Sequence, residues 1–365
     1  MPFIDLKKSH ERSREKIEKA IARVLEHGQF ILGPEVYELE EELARLVGVK
    51  HCVTTASGTM SLEVALRALG VGCGDEVVTT PFTWISTAEV VELVGARPVF
   101  ADIERESFNL DPDAAEAAIT PKTKVLLPVS LFGQPCKMDK FVEIANRYGL
   151  WLIEDGAQSF GSRRNGRMSC GLGGIGSTSF FPAKPLGCYG DGGALFSDDD
   201  ELAEKFRRVR NHGGLKRHEH LLLGTNGRFD TLQAAILLAK LPEFGAEILA
   251  RERVGARYTE KLRGVCEPPV VSAGNSHVYA QYTIRIEKRD LVARKLEERG
   301  IPTGIYYPKC LHQLPVFEHL GYRVGEFPNA ERAAEEVLSL PMHPYLDEAT
   351  QDFIVDSIIE IVRDI

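Results

Sequence analysis

One lysine closes an apolar run in Ser177-Thr-Ser-Phe-Phe-Pro-Ala-Lys184, and the chain then breaks into Pro185, Gly187, Gly190, Gly192 and Gly193. An amine held against apolar walls loses solvation, its pKa falls, and it attacks carbonyls near neutral pH. That behaviour suits a lysine that binds the aldehyde of pyridoxal 5'-phosphate (PLP). PLP makes three further demands: a carboxylate for its ring nitrogen, a cradle for its phosphate, and something flat or apolar against its ring.

The chain holds a candidate for each. Asp155, in Trp151-Leu-Ile-Glu-Asp155-Gly-Ala-Gln158, ends an apolar strand at the edge where open α/β sheets bind ligands. A carboxylate there keeps a pyridine nitrogen protonated; taken alone, Asp155 reads equally well as the cap of the next turn. Glu154 falls on the opposite face of the strand. Thr55-Ala-Ser57-Gly58-Thr59 ends a strand in small polar residues and opens a helix, which is either a phosphate cradle or an ordinary Ser/Thr N-cap. Ser179, five residues before Lys184, adds a hydroxyl or is a plain strand position. Trp84, in Pro81-Phe-Thr-Trp84, is a ring-stacking candidate in a loop, or a core residue beneath it.

Two other patterns carry less. Gly171-Leu-Gly173-Gly-Ile-Gly176 matches a dinucleotide fingerprint, but a turn precedes it and a β-like run follows, the reverse of what that motif needs. His212, His218 and His220 lie in a polar stretch beside Lys216 and Arg217, which reads as a solvated loop rather than a metal site. No metal is expected.

These residues must be held by a scaffold. At 365 residues the chain exceeds one small core, so two domains are expected. A net charge of −9, with both signs interleaved, argues against nucleic acid or an anionic membrane as the main partner. Seven scattered cysteines without a C-x-x-C pair suit a reducing compartment, and charge interrupts the N-terminal apolar residues; a cytoplasmic location is expected. Strand-like runs at 52–55, 76–80, 97–101, 125–129 and 151–154 alternate with helical periodicity at 58–69, 86–94 and 138–148, which predicts βαβ units and a mostly parallel sheet. Further β runs fall at 177–181 and 193–197. Long helical spans follow at 199–210 and 230–264, then a strand at 281–286 and helices at 290–299, 329–338 and 347–362. This predicts a large domain over 1–249, with an N-terminal helical segment, and a smaller α/β domain over 250–365.

Taken together, the motifs resemble the DegT/StrS-type nucleotide-sugar aminotransferases over nearly the whole chain. The similarity rests on an ordered set: Gly28-Gln-Phe-Ile-Leu-Gly-Pro34, Ser57-Gly-Thr59, Pro81-Phe-Thr-Trp84, Glu154-Asp-Gly-Ala-Gln158-Ser, Ser179-Phe-Phe-Pro-Ala-Lys184, Gly190-Asp-Gly-Gly193, Asn226-Gly-Arg228-Phe-Asp230 and Tyr306-Tyr-Pro308. The resemblance implies a type I aminotransferase fold with a seven-stranded-type sheet, working as a homodimer with shared active sites. It implies that Lys184 holds the cofactor and moves protons, Asp155 pairs with the ring nitrogen, and Gln158 lies near the ring hydroxyl. Gly58, Thr59 and Ser179 then hold the phosphate, Trp84 stacks on the ring, and Asn226 reaches the phosphate from the neighbouring subunit. Arg228, Tyr306 and Tyr307 lie near the substrate. Position 306 is Tyr where relatives often carry His.

The implied reaction moves an amino group from L-glutamate to a ketone on a nucleotide-linked sugar. The 177–194 segment and Leu340-Pro-Met-His-Pro-Tyr-Leu346 look closest to enzymes that aminate C3 of UDP-2-acetamido-2-deoxy-3-oxo-glucuronic acid for bacterial surface polysaccharide (O-antigen). Rival readings are a C4-aminating transaminase and a non-enzymatic regulatory or binding protein. Related sugar dehydratases carry histidine in place of the lysine, so Lys184 argues against that activity.

Overall fold

In the computed structural model, which describes residues 1–216 and 218–364, two helices come first. They are α1 (Leu6–His27) and α2 (Pro34–Val47). Asp5 caps α1 by accepting the Lys8 N–H at 2.9 Å, and Gly28 ends it in a left-handed conformation. The alternating region follows as β1 (His51–Thr55), α3 (Gly58–Ala68), β2 (Glu76–Thr79), α4 (Ser86–Leu93), β3 (Arg97–Phe100), α5 (Pro112–Ala117), β4 (Thr123–Leu126), α6 (Met138–Tyr148) and β5 (Trp151–Asp155). A small hairpin, β6 (Arg163–Arg164) and β7 (Arg167–Met168), leads to β8 (Ile175–Ser179), β9 (Gly193–Ser197) and α7 (Asp200–Val209). The remainder is α8 (Thr231–Leu262), β10 (Tyr282–Arg285), α9 (Arg289–Glu298), α10 (Pro328–Glu336), β11 (Val337–Leu340) and α11 (Glu348–Arg363).

Seven strands form one sheet in the order β1-β9-β8-β5-β4-β2-β3. Only β9 runs against the rest, antiparallel to both β1 and β8, so the predicted mostly parallel sheet is present. Each face is covered. Val53, Val77, Val125, Ile153, Ile175 and Leu195 pack on Leu62, Leu66 and Phe206 of α3 and α7. On the other face, Leu126 and Leu152 pack on Phe141 and Ile144 of α6, and Phe196 joins Leu39, Leu43 and Phe244 of α2 and α8. Strands buried on both faces explain why their sequences read as continuous Val/Ile/Leu runs rather than alternations.

A second sheet pairs β10 with β11. Its core joins Tyr258 and Leu262 of α8 with Leu296 of α9 and Ile354 and Ile358 of α11. Residues 310–337 turn the other way: Leu311, Phe317, Phe327 and Ala330 pack on Phe82 and Phe100 beside the large sheet. Two expectations are corrected. The helix expected over 329–338 ends at Glu336, and Val337–Leu340 is a strand paired with β10. The strand expected over 125–129 covers Thr123–Leu126, because Pro128 has no N–H to offer the ladder.

The Gly171–Gly176 run leads into β8, with no helix after it. His212, His218 and His220 lie in the connection between α7 and α8, and Arg217 lies outside the described residues.

Candidate active site

The predicted residues converge at the carboxyl edge of the sheet. Asp155 is the last residue of β5 and is only 6% exposed. Its Oδ1 accepts the Ala157 N–H at 3.1 Å, and its Oδ2 accepts the Thr87 hydroxyl at 3.1 Å. The cap reading of Asp155 therefore holds locally: one oxygen caps the turn, and the other faces Thr87 in the first turn of α4. Burial pushes its carboxyl up, while the Ala157 N–H, the Lys184 charge and the Thr87 hydroxyl pull it down. Glu154, one residue earlier, has a separate set of partners: Ser130 and Ser169 hydroxyls at 2.7 and 2.8 Å, and the Cys170 N–H at 2.7 Å. Strand alternation separates these two acids.

Lys184 lies in the loop between β8 and β9, whose base is closed where Ser179 pairs with Gly193. Its backbone N–H donates to Phe181 O at 2.8 Å, which fixes the turn. Burial lowers the Lys184 amine to about 8, and the Asp155 charge opposes that shift. About half of the amine is therefore neutral and nucleophilic near pH 8, and roughly a tenth near pH 7.

A helix N-terminus faces the same loop. Ser57 caps α3 by accepting the Met60 N–H at 3.0 Å. A Cβ on Gly58 would lie 2.8 Å from the Ser179 Cβ, so only glycine lets these two segments meet. Gly193 backs the Ser57 carbonyl equally closely. Thr59 shares a 2.7 Å hydroxyl contact with Ser86, tying the start of α3 to the start of α4. The positive end of a helix, hydroxyl-bearing residues and a glycine are the parts from which an anion cradle is built.

Gln158 is buried, accepts the Phe132 N–H at 2.7 Å and donates to the Tyr307 hydroxyl at 3.2 Å. Trp84 is 60% exposed, so it is not a core residue, and its ring lies 6.3 Å from that of Tyr307. Tyr306 leans on Phe3, with ring centroids 6.3 Å apart. Asn226 is exposed. The next residue, Gly227, accepts the Ala56 N–H at 2.9 Å and so brings this segment against the cradle. Arg228 donates to Asn211 Oδ1 at 3.0 Å, and its buried Nε has no partner. Thr87 escaped the sequence reading; 68 residues separate it from Asp155, and nothing local signals the contact.

A desolvated lysine, a buried acid, an anion cradle and an exposed indole meet the four demands of PLP, so the residues present fit that cofactor. Fold and site suit a class of α/β enzyme that works through a lysine at the carboxyl edge of a mostly parallel sheet. The family model for the DegT/DnrJ/EryC1/StrS aminotransferases matches residues 11–359, and the chain belongs to that family. It is 50% identical, over 95% of its length and 96% of the relative, to the UDP-2-acetamido-2-deoxy-3-oxo-D-glucuronate aminotransferase of Pseudomonas aeruginosa. It is 44% identical, over 100% of its length and 99% of the relative, to a pleiotropic regulatory protein of Geobacillus stearothermophilus. The crystal structure of S. venezuelae DesV in complex with a ketimine intermediate superposes with a TM-score of 0.98, at 39% identity, covering 100% of this chain and 99% of that one.

Proposed function

We propose that this protein is a PLP-dependent aminotransferase that moves an amino group from L-glutamate to C3 of UDP-2-acetamido-2-deoxy-3-oxo-glucuronic acid, in bacterial surface-polysaccharide biosynthesis. The observation that carries this reading is the 50% identity to an enzyme of that name across nearly both chains, with a buried Lys184 amine that feels the charge of Asp155. Bound at this site, PLP would supply an electron sink for charge that develops beside the transferred nitrogen.

The chain's own residues do the rest. Lys184 would hold the aldehyde of the cofactor, and its Nζ would take and return a proton. Asp155 would hold positive charge on the ring nitrogen, and Gln158 would lie near the ring hydroxyl. Gly58, Thr59 and Ser179 would receive the phosphate, with Asn226 contributed by a second copy of the chain. Trp84 would cover one ring face, and Arg228, Tyr306 and Tyr307 would line the sugar-nucleotide side. A homodimer is supported by the apolar residues one chain leaves exposed, among them Phe30, Ile31, Phe181 and Leu223. We read 1–249 as the PLP-binding domain and 250–365 as a smaller domain, supported by the separate core around β10 and β11. No helix among the described residues is long and apolar enough to cross a membrane; we place the protein in the cytoplasm.

The name of the Geobacillus relative favours a second reading, a regulatory protein on the same fold. One experiment separates the two. The purified holoprotein is given glutamate and the 3-oxo sugar nucleotide, and the product is read by NMR. C3 amination is expected, together with a borohydride-fixed cofactor on Lys184 by mass spectrometry and complete loss of turnover in Lys184→Ala. Amination at C4 overturns the substrate assignment. No turnover, with the cellular role intact in Lys184→Ala, establishes the regulatory reading.

A further inference from the structure

We propose that Thr87 is a positioning residue for Asp155: its buried hydroxyl, backed by Thr83, commits its proton to the carboxylate and sets the charge that Asp155 presents to the cofactor. This rests on the reading of Asp155 as the partner of the ring nitrogen.

The geometry leaves little choice of direction. Thr87 is 1% exposed and Thr83 3%, so water does not compete for either hydroxyl. Thr87 Oγ1 lies 3.1 Å from Asp155 Oδ2, and an ionised carboxylate only accepts. Thr87 therefore donates, and its 3.3 Å contact with Thr83 Oγ1 must run from Thr83 to Thr87. The result is a short relay, Thr83 to Thr87 to Asp155, that ends on the acid. The other oxygen is fixed by the Ala157 N–H. Asp155 is thus pinned at both oxygens, which sets its plane as well as its charge.

The position on α4 matters. Thr87 lies in the first turn of a helix that begins at Ser86, and Ser86 touches Thr59 of the cradle. One helical turn therefore spaces the acid from the anion cradle. Burial disfavours the Asp155 carboxylate, and the Thr87 hydroxyl counters it. The titratable neighbours of Asp155 are Lys184, Glu154, Tyr307 and Cys170, and a change at Thr87 leaves all four in place.

The test uses holoprotein loaded with PLP carrying nitrogen-15 in its ring. In Thr87→Val, which keeps the shape and removes the hydroxyl, the ring nitrogen is expected to lose its proton about one pH unit lower than in wild type, with PLP held roughly tenfold more weakly. Thr87→Ser, which keeps the hydroxyl, is expected to match wild type. Thr87→Ala replaces the valine variant if that one fails to fold, with the same expectation. Asp155→Asn is the control. If it moves the nitrogen resonance and Thr87→Val does not, the role of Thr87 is overturned while Asp155 stands. If Thr87→Ser shifts as far as Thr87→Val, the residue only packs, and the proposal fails. If Asp155→Asn moves nothing, the reading of Asp155 falls and takes the Thr87 proposal with it.

Discussion

At the scale of the residue, the amine of Lys184 is out of place by ordinary standards. Its pKa falls from 10.5 to about 8 because burial disfavours the ammonium. Between those values the unfolded chain binds a proton that the native site does not, so this group makes stability rise with pH from about 8 to 10.5. Below about 8 both states carry the proton, and the native state bears the full cost of a buried charge. Cofactor-free Lys184→Met is therefore expected to be more stable than wild type at pH 7, by on the order of 2 kcal/mol. The gain should vanish near pH 10.5. Urea unfolding at both pH values checks it; equal stability at pH 7 would show that the amine is well solvated.

At the scale of the element, the cradle depends on one missing side chain. With a Cβ at position 58 only 2.8 Å from that of Ser179, Gly58→Ala must push β8 and the start of α3 apart. Overpacking of this kind costs about 1–3 kcal/mol. Expressed at the cradle, that is a loss of roughly 5- to 150-fold in PLP affinity. Fluorescence titration of the cofactor-free variant measures it, and unchanged affinity would place the phosphate elsewhere. The elements themselves were largely legible. Turn residues and Val/Ile runs located β1, β2, β5 and β9, and Met138–Tyr148 and Gly193–Ser197 match expectation residue for residue. Failures came where a distant partner decides. Val337-Leu-Ser-Leu340 continues a helical rhythm, and only pairing with Tyr282–Arg285 makes it a strand. Likewise Asp155 and Lys184 stand out as candidates in their local motifs, whereas the Thr87 contact exists only once β2 and β5 share a sheet, with β4 between them.

At the scale of the whole molecule, the proposed sharing of sites between two copies has a measurable signature. A dimer of one Lys184→Ala chain and one Asn226→Ala chain would hold one site with both residues intact and one with neither. Random exchange of the two inactive variants should then recover up to about a quarter of wild-type activity. Recovery of nothing, with exchange verified by native mass spectrometry, would mean that each site draws both residues from one chain. The sheet order has a consequence of its own during synthesis. Among the described strands, β1 bonds only to β9, and β9 is the last strand of its sheet to be made. A nascent chain that has not yet extruded Gly193–Ser197 carries β1 and one side of β8 as bare strand edges, the kind that recruit other chains. Until that final segment slots between them, the ribosome holds a protein that already has its acid, yet has no closed loop on which to present its amine.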